Sequence, residues 1–242
     1  MLRGVADPAS ALSLAASRAA LDSPDEALAL CTLALLSPLP HERAEAAAVA
    51  LRLGRPRRTL DWAMDPLVRA AAWLRLGEAQ SALGELGDDR PPCAREAVLR
   101  ARADWQLRLR AAAEPESGST DMALRLARQE GDAGALVAAA TLRGEELIRA
   151  GERFAALRAL AEGLKVAELG GQAADAHLLA VLAHAQGGPK GRRTAMKALE
   201  RSGPGSPARV LALLALDRPA DAQGQAAASD LSPLWWAFLS PA

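Results

Sequence analysis

The sequence contains few of the residues that favour β-sheets. Among its 242 residues there is no tyrosine and only one isoleucine, and 3% of the residues are aromatic. Sheets are enriched in β-branched and aromatic side chains, which pack well on a pleated surface. The composition therefore argues against a β-sandwich, a β-barrel or a doubly wound sheet.

Cysteine, net charge and long apolar runs are also scarce. Cys31 and Cys93 are too few for a disulfide framework, so we expect two free thiols. The 29 basic and 29 acidic residues cancel, and no overall field attracts nucleic acid or an anionic membrane. The longest apolar run, residues 27–40, falls short of the ~18 residues of a membrane span. These absences predict a soluble cytoplasmic protein that makes no contact with a membrane.

Helix-forming residues dominate what is present. About a quarter of the residues are alanine and about a sixth are leucine, and apolar positions recur with helical spacing. Ser23 before Pro24 and Ser206 before Pro207 predict helix starts, because serine caps the first turn and proline fits it. Glycines such as Gly131 predict helix ends. The fold class that follows is all-α.

A short pattern recurs along the chain. Residues 77–83 read Gly-Glu-Ala-Gln-Ser-Ala-Leu, and residues 151–157 repeat it as Gly-Glu-Arg-Phe-Ala-Ala-Leu. Alanine anchors place the repeating units at Ala27, Ala82, Ala123, Ala156, Ala195 and Ala222, with a degenerate unit near Thr59. Their mean spacing of about 33 residues is close to the length of a two-helix repeat.

At this repeat length the chain resembles the tetratricopeptide-repeat (TPR) family, and its best unit spans residues 140–168. Small residues stand where that family's paired helices cross closely, and larger apolar residues stand beside them. The small residues are Gly144, Ala156 and Gly163, and the larger ones are Leu147 and Leu160. Most of the family's aromatic residues are missing, and the best unit lacks the closing proline. The resemblance implies a TPR-like, right-handed solenoid of about twelve to fourteen helices in antiparallel pairs, with a concave groove. An irregular helical bundle is the structural alternative.

The helical-repeat array is predicted to span residues 1–230. A polar stretch at residues 113–120 is either a soft boundary or a long loop between helices. Residues 231–242 follow as an aromatic capping segment, in which Trp235, Trp236 and Phe238 belong to a short helix that covers the end of the array. In the alternative interpretation, these aromatic side chains anchor a partner or a second copy of the chain as a homodimer.

No catalytic or ligand-binding motif occurs with its required spacing. His41 and Glu42 begin like a zinc-protease helix, but the second histidine is missing. His177 and His184 lie about 10 Å apart along a helix, so they cannot share a metal ion. The glycine-rich residues 187–194 lack the spacing and the preceding strand of a phosphate loop. We therefore expect no metal, no cofactor and no enzymatic activity.

Basic side chains form three local clusters although the net charge is zero. Their members are Arg52, Arg55, Arg57 and Arg58; Arg100, Arg102, Arg108 and Arg110; and Lys190, Arg192, Arg193, Lys197 and Arg201. If neighbouring repeats align the clusters, they form a stripe that could contact phosphates. The acidic residues around the second cluster favour a solvated helix face instead.

The resemblance implies a non-catalytic scaffold or adaptor that binds a peptide or protein partner in the groove of the repeats. The clamp that the family uses for acidic C-terminal peptides needs asparagine, and this chain has none. An alanine- and leucine-rich groove with arginine at its rim would instead accept an amphipathic helix or an acidic segment. The alternative is a regulatory or nucleic-acid-associated protein whose arginine-rich helix faces contact the phosphate backbone. The candidate contact residues are Arg100, Arg102, Arg108, Arg110, Arg192, Arg193, Trp235, Trp236 and Phe238.

Overall fold

Thirteen α-helices span most of the residues that the structure describes. The computed structural model describes residues 11–13, 23–36, 39–87, 91–113, 118–169 and 175–240. The helices are α1 (Pro24–Ala34), α2 (Pro40–Arg52), α3 (Pro56–Trp62), α4 (Pro66–Leu76), α5 (Ala79–Leu86), α6 (Ala94–Arg110), α7 (Gly118–Glu130), α8 (Ala133–Arg149), α9 (Arg153–Leu169), α10 (Ala176–Gln186), α11 (Gly188–Arg201), α12 (Pro207–Ala215) and α13 (Pro219–Ala228). Within these described ranges there is no β-strand, and the all-α prediction is confirmed.

Proline and capping side chains fix where many of the helices begin. Seven of them carry proline in the first turn. The predicted starts at Pro24 and Pro207 are confirmed, and the Ser206 hydroxyl accepts a hydrogen bond from the Arg209 N–H at 3.2 Å. The predicted cap by Ser23 is wrong, because its side chain makes no hydrogen bond to the first turn of α1. Local sequence therefore determines the helix boundaries to a large extent.

The anchor residues of the predicted repeats are all buried, and they lie on alternate helices. The anchor residues all lie on odd-numbered helices and are at most 1% exposed; they are Ala27, Thr59, Ala82, Ala123, Ala156, Ala195 and Ala222. From α3 onwards, each odd-numbered helix packs on the even-numbered helix before it. The small anchor side chain lets the two helix axes approach each other closely.

The pair α8 and α9 shows why the repeat needs small residues at particular positions. Gly144 lies opposite Leu160, and Gly163 lies opposite Ala140, so the two helices are antiparallel. A Cβ atom on Gly144 would stand 2.6 Å from the Leu160 Cδ2 atom. Only glycine allows this separation, and the close crossing predicted for these positions is therefore present.

The even-numbered helices form one continuous layer. Each of α2, α4, α6, α8 and α10 contacts the next even-numbered helix in the chain. Helices α6 and α7 also pack directly on each other across the polar stretch at residues 113–120, of which residues 114–117 lie outside the described part. The described helices thus pack in sequence order on both sides of that stretch.

The array curves until its first helices meet its last ones. The Arg57 Nε atom donates to the Asp230 Oδ2 atom at 2.9 Å. Gly54 has a φ of +70°, and a Cβ atom there would lie 2.7 Å from the Pro204 carbonyl oxygen. One apolar cluster accordingly combines side chains of α4 and α5 with side chains of α12 and α13. The resemblance implies an open concave groove, whereas the structure has a partly open central cavity, because contacts such as Gly54 with Pro204 and Arg57 with Asp230 join distant parts of the chain.

Residues 231–240, called the aromatic segment below, cross this interior against α4, α6 and α8. Trp235 and Phe238 are 8% and 1% exposed, and Trp236 is partly buried. The segment donates two hydrogen bonds to α4, from the Ser232 N–H to the Arg75 carbonyl (2.9 Å) and from Trp235 Nε1 to the Leu74 carbonyl (2.9 Å). It accepts two from α8, where Arg149 Nη1 donates to the Ala237 and Ser240 carbonyls (3.1 and 3.0 Å). The segment therefore covers the inner face of the even-numbered layer, whereas the sequence predicts a cap on the last repeat.

The backbone of the aromatic segment also differs from the single short helix that the sequence predicts. Two 3₁₀ turns, Pro233–Trp235 and Ala237–Leu239, are separated by Trp236. Trp236 has a φ of −129°, far from the helical value, and this interrupts the helix between the turns.

Candidate functional site

A cavity of about 560 Å³ lies in the interior of the array. Its wall comes from the ends of α2 and α4, the middle of α6, the first half of α8 and the first turns of α10 and α12. Trp235 of the aromatic segment completes the wall. This volume lies within the range of natural ligand sites, about 300–1,000 Å³. The repeat architecture therefore leaves a space of ligand size at its centre.

Arginine is the main charged residue of the cavity wall. Arg52, Arg102 and Arg201 come one from each of the three basic clusters of the sequence, and α4 adds Arg75. Among the described lining residues, Asp175 is the one carboxylate, and it accepts hydrogen bonds from backbone N–H groups in the first turn of α10. The cavity therefore carries an excess of positive charge. The wall also holds the N-terminal ends of α10 and α12 and the C-terminal ends of α2, α4 and α11, so the helix dipoles contribute partial charges of both signs.

Arg75 is the unusual member of this group. It lines the cavity, its Nη1 atom is shielded from solvent, and its side chain has no hydrogen-bond or ion-pair partner among the described residues. Burial lowers the pKa of this guanidinium to about 10, well below the usual range for arginine, and no neighbouring carboxylate among the described residues opposes that effect. A buried charge without a counter-charge is costly, and such groups concentrate at functional sites. The side chain is therefore placed to receive an anion.

Arg102 stands on the same wall with its charge fully paired. Its Nη2 atom donates to the Glu145 Oε1 atom at 2.9 Å, its Nη1 atom donates to Oε2, and the His177 Nε2 atom lies 3.1 Å from Oε1. Burial alone would raise the pKa of Glu145, but the charge of Arg102 and these contacts lower it below its usual value. Trp235 covers the group, with its ring centroid 4.7 Å from the Arg102 Cζ atom. Arg102 and Glu145 thus form a buried pair that fixes one side of the cavity.

The other two cavity arginines stand at its mouth. Arg52 and Arg201 belong to α2 and α11, whose C-terminal ends the closed array brings to the same opening, and both are exposed. The cavity thus has exposed arginines at its rim, whereas Arg75 in its wall is partly buried.

Most of the second basic cluster is used within the chain. Arg100 donates to the carbonyl oxygens of Leu86 and Gly87 at the end of α5, and Arg110 donates to the Gly77 carbonyl at 2.7 Å after α4. Arg108 acts on a buried carboxylate, because its positive charge helps to lower the pKa of Glu146, which burial raises overall. Arginine at these places satisfies the free carbonyl groups of helix ends and complements the helix dipole.

The remaining predicted contact residues do not meet at one site. Arg192 pairs with Asp217 at 2.7 Å on the surface, and Arg193 is exposed on the same helix. Of the three aromatic residues, Trp235 reaches the cavity, whereas Phe238 packs in the core. The structure therefore unites Arg102 and Trp235 and leaves the others apart.

The sequence contains a signal for Arg75, although the basic clusters do not include it. Arg75 follows Ala71 by four residues on α4, so it lies on the face of the helix that lines the cavity. A basic residue in the last turn of a helix normally serves the helix dipole, and this common role conceals the burial.

Comparison with known proteins does not indicate what this cavity binds. Comparison with protein-family models, with curated proteins and with solved structures finds no match to the chain. Within the described residues, no group of three or more histidine, cysteine or acidic side chains could hold a metal ion. None of the described helices is long and apolar enough to cross a membrane.

Proposed function

We propose that this chain is a non-catalytic scaffold of the TPR-like kind, which binds the acidic end of a protein partner in its interior cavity. The observation that carries the proposal is Arg75, a partly buried guanidinium with a solvent-shielded Nη1 atom and no carboxylate partner among the described residues. A carboxylate that entered the cavity would supply the missing counter-charge and could accept two hydrogen bonds from the planar guanidinium.

The charge and polarity of the wall support this class of ligand. Arg52 and Arg201 at the mouth would meet further acidic side chains of the same segment. The walls between them are largely apolar, with residues such as Leu51, Val98 and Val137. An acidic segment with interspersed apolar side chains matches both features.

The hydroxyl groups of the wall support a binding role over a catalytic one. Thr141 and Ser202 donate to backbone carbonyls of their own helices at 2.8 and 2.9 Å. Ser206 serves as the cap of α12. A nucleophilic hydroxyl needs a neighbouring base, and the His177 imidazole lies against the buried Glu145 instead.

The nucleic-acid alternative has less support from the described contacts. Arg100, Arg102 and Arg110 donate to carbonyl or carboxylate groups of the chain itself, and phosphates would have to compete with these partners.

Calorimetric titration with a defined peptide tests the proposal. The probe is a hexapeptide of alternating leucine and glutamate with an acetylated N-terminus and a free C-terminal carboxylate. We expect it to bind the wild-type protein and to lose about 10- to 100-fold in affinity with Arg75→Met, since a charged hydrogen bond contributes roughly 1.5–3 kcal/mol. Arg193→Met, which changes an exposed arginine outside the cavity, should leave the affinity unchanged.

Two further titrations identify the source of the carboxylate. A peptide with glutamine for glutamate and an amidated C-terminus should not bind. Glutarate, a small dicarboxylate, should bind at least tenfold more weakly than the acidic peptide, because it cannot reach the rim and Arg75 together. If glutarate bound as tightly as the acidic peptide, the natural ligand would be a small organic acid and the protein partner would be wrong. If neither glutarate nor the acidic peptide bound, the whole proposal would be overturned.

A further inference from the structure

The aromatic segment holds the same helix turn that carries Arg75. The Ser232 N–H donates to the Arg75 carbonyl oxygen at 2.9 Å, and the Trp235 Nε1 atom donates to the Leu74 carbonyl oxygen at 2.9 Å. Both acceptors belong to the last turn of α4. The position of the Arg75 guanidinium and the docking of the segment therefore depend on the same short stretch of backbone.

Trp235 is also part of the cavity wall. Its indole ring covers Arg102 and lies 5.6 Å from the His177 ring, centroid to centroid. If the segment left its place, the cavity would lose this wall, and the pair formed by Arg102 and Glu145 would meet water. A ligand in the cavity thus contacts a complete site only when the segment is docked.

The segment is held by core packing and by hydrogen bonds from other helices as well as by its own turns. It consists of two three-residue 3₁₀ turns, and its far end is tied to α8 through Arg149, which donates to the Ala237 and Ser240 carbonyls. Phe238 and Trp235 belong to the two main core clusters, so undocking would expose both side chains. Undocking is therefore a local opening whose free energy hydrogen exchange can measure.

We infer that the aromatic segment is a gate whose docking is coupled to the occupancy of the arginine-lined cavity. The inference rests on the proposed function and adds its regulation. An acidic segment of the partner binds the docked state more tightly, and in return it keeps the gate docked with Trp235 and Phe238 buried. By thermodynamic reciprocity, both effects have the same size.

Hydrogen exchange followed by NMR measures the coupling directly. The reporters are the Trp235 indole N–H and the Ser232 amide N–H, both of which donate to α4. At a saturating concentration of the leucine–glutamate hexapeptide, their exchange should slow by roughly 5- to 150-fold, the usual range for coupled sites.

Two arginine variants of the full-length chain provide a matched comparison. Arg149→Met removes both hydrogen bonds from α8 to the segment and changes no residue of the cavity wall. We expect about tenfold faster exchange of the Trp235 indole N–H, and the peptide should slow it by the wild-type factor. Arg153→Met removes the corresponding hydrogen bonds to the Ala185 and Gln186 carbonyls and should leave the exchange unchanged.

The outcomes separate the gate from the binding function. If calorimetry shows peptide binding while the exchange of both reporters stays unchanged, the gate is wrong and the binding function stands. If the peptide does not bind, both are wrong. Faster reporter exchange on peptide binding would mean that the ligand displaces the segment, and this would also overturn the inference.

Discussion

Replacing Arg75 by methionine should stabilise the ligand-free protein, although most substitutions of enclosed residues destabilise. Burial lowers the pKa of its guanidinium to about 10, well below the usual range for arginine. At 1.36 kcal/mol per pKa unit, this corresponds to roughly 3 kcal/mol against the charged form in the folded state. The cost is present throughout the range below pH 10, because a base with a lowered folded pKa is destabilised while it is protonated.

Methionine would fill much of the same space without the charge. Because some contacts of the arginine stem are lost, we expect a net gain of about 1–3 kcal/mol in the free energy of unfolding. For a chain of this size, each kcal/mol raises the melting temperature by about 2–4 °C. Urea and thermal unfolding followed by circular dichroism would measure both quantities.

Arg102→Met is the matched comparison, because Arg102 lines the same cavity with its charge paired. Its removal leaves the carboxylate of Glu145 fully buried beside His177 alone. Breaking a buried pair in this way costs about 3–5 kcal/mol. The two arginine-to-methionine changes are thus expected to have opposite signs.

The reasoning would be refuted if Arg75→Met destabilised the protein by about 1 kcal/mol or more, or if both variants changed stability in the same direction. A stabilised Arg75→Met protein that has also lost the acidic peptide would show that the loss of binding is not a loss of folding. Such a trade between stability and function is common at sites built for a ligand.

Three further predictions concern the packing and the buried charges. Gly144→Ala should lower the free energy of unfolding in urea by about 1–3 kcal/mol, because its Cβ atom would lie 2.6 Å from a leucine side chain of α9. Gly84→Ala, the control, places nothing within 4 Å of the new Cβ atom and should raise that free energy by about 0.5–1 kcal/mol. The pKa of Glu145 is lowered in the folded state, so its contribution to the free energy of unfolding is present above its ordinary pKa of 4.5 and is lost as the pH falls through the folded pKa. Glu145→Gln should therefore flatten the fall of the unfolding free energy below pH 4.5. The same pH dependence in the variant and the wild type would contradict this. Phe238→Ala should cost about 3–5 kcal/mol, because this side chain is 1% exposed, and an unchanged urea midpoint would mean that the aromatic segment is not packed in the core.

The local architecture was predictable from the sequence because it depends on local rules. Small anchor residues such as Ala156 recur where paired helices cross, and serine with proline marks where helices such as α12 begin. The closure of the array was not predictable. It depends on contacts between residues far apart in the chain, such as Gly54 with Pro204 and Arg57 with Asp230, and no periodic pattern in the sequence predicts these contacts.

The candidate site was predictable only in part. Each basic cluster contributes one arginine to the cavity, so the clusters were a useful signal, but most of their members stay outside it. The aromatic segment was recognised by its composition, whereas its place inside the array follows from the closure. Arg75 escaped because a single basic residue at a helix end is ordinary, and only its surroundings make it unusual.

The arginines of this chain can be sorted by their partners. Arg100, Arg110 and Arg153 donate to carbonyl oxygens at the ends of neighbouring helices, and Arg149 donates to the aromatic segment in the same way. Arginine at these positions acts as a structural connection between neighbouring helices. The Arg75 guanidinium has no such partner among the described residues, and burial disfavours its charged form. A charge that opposes the stability of the folded array without a counter-charge is what the proposed carboxylate ligand would neutralise, so the sign of the Arg75→Met effect tests the premise of the proposal.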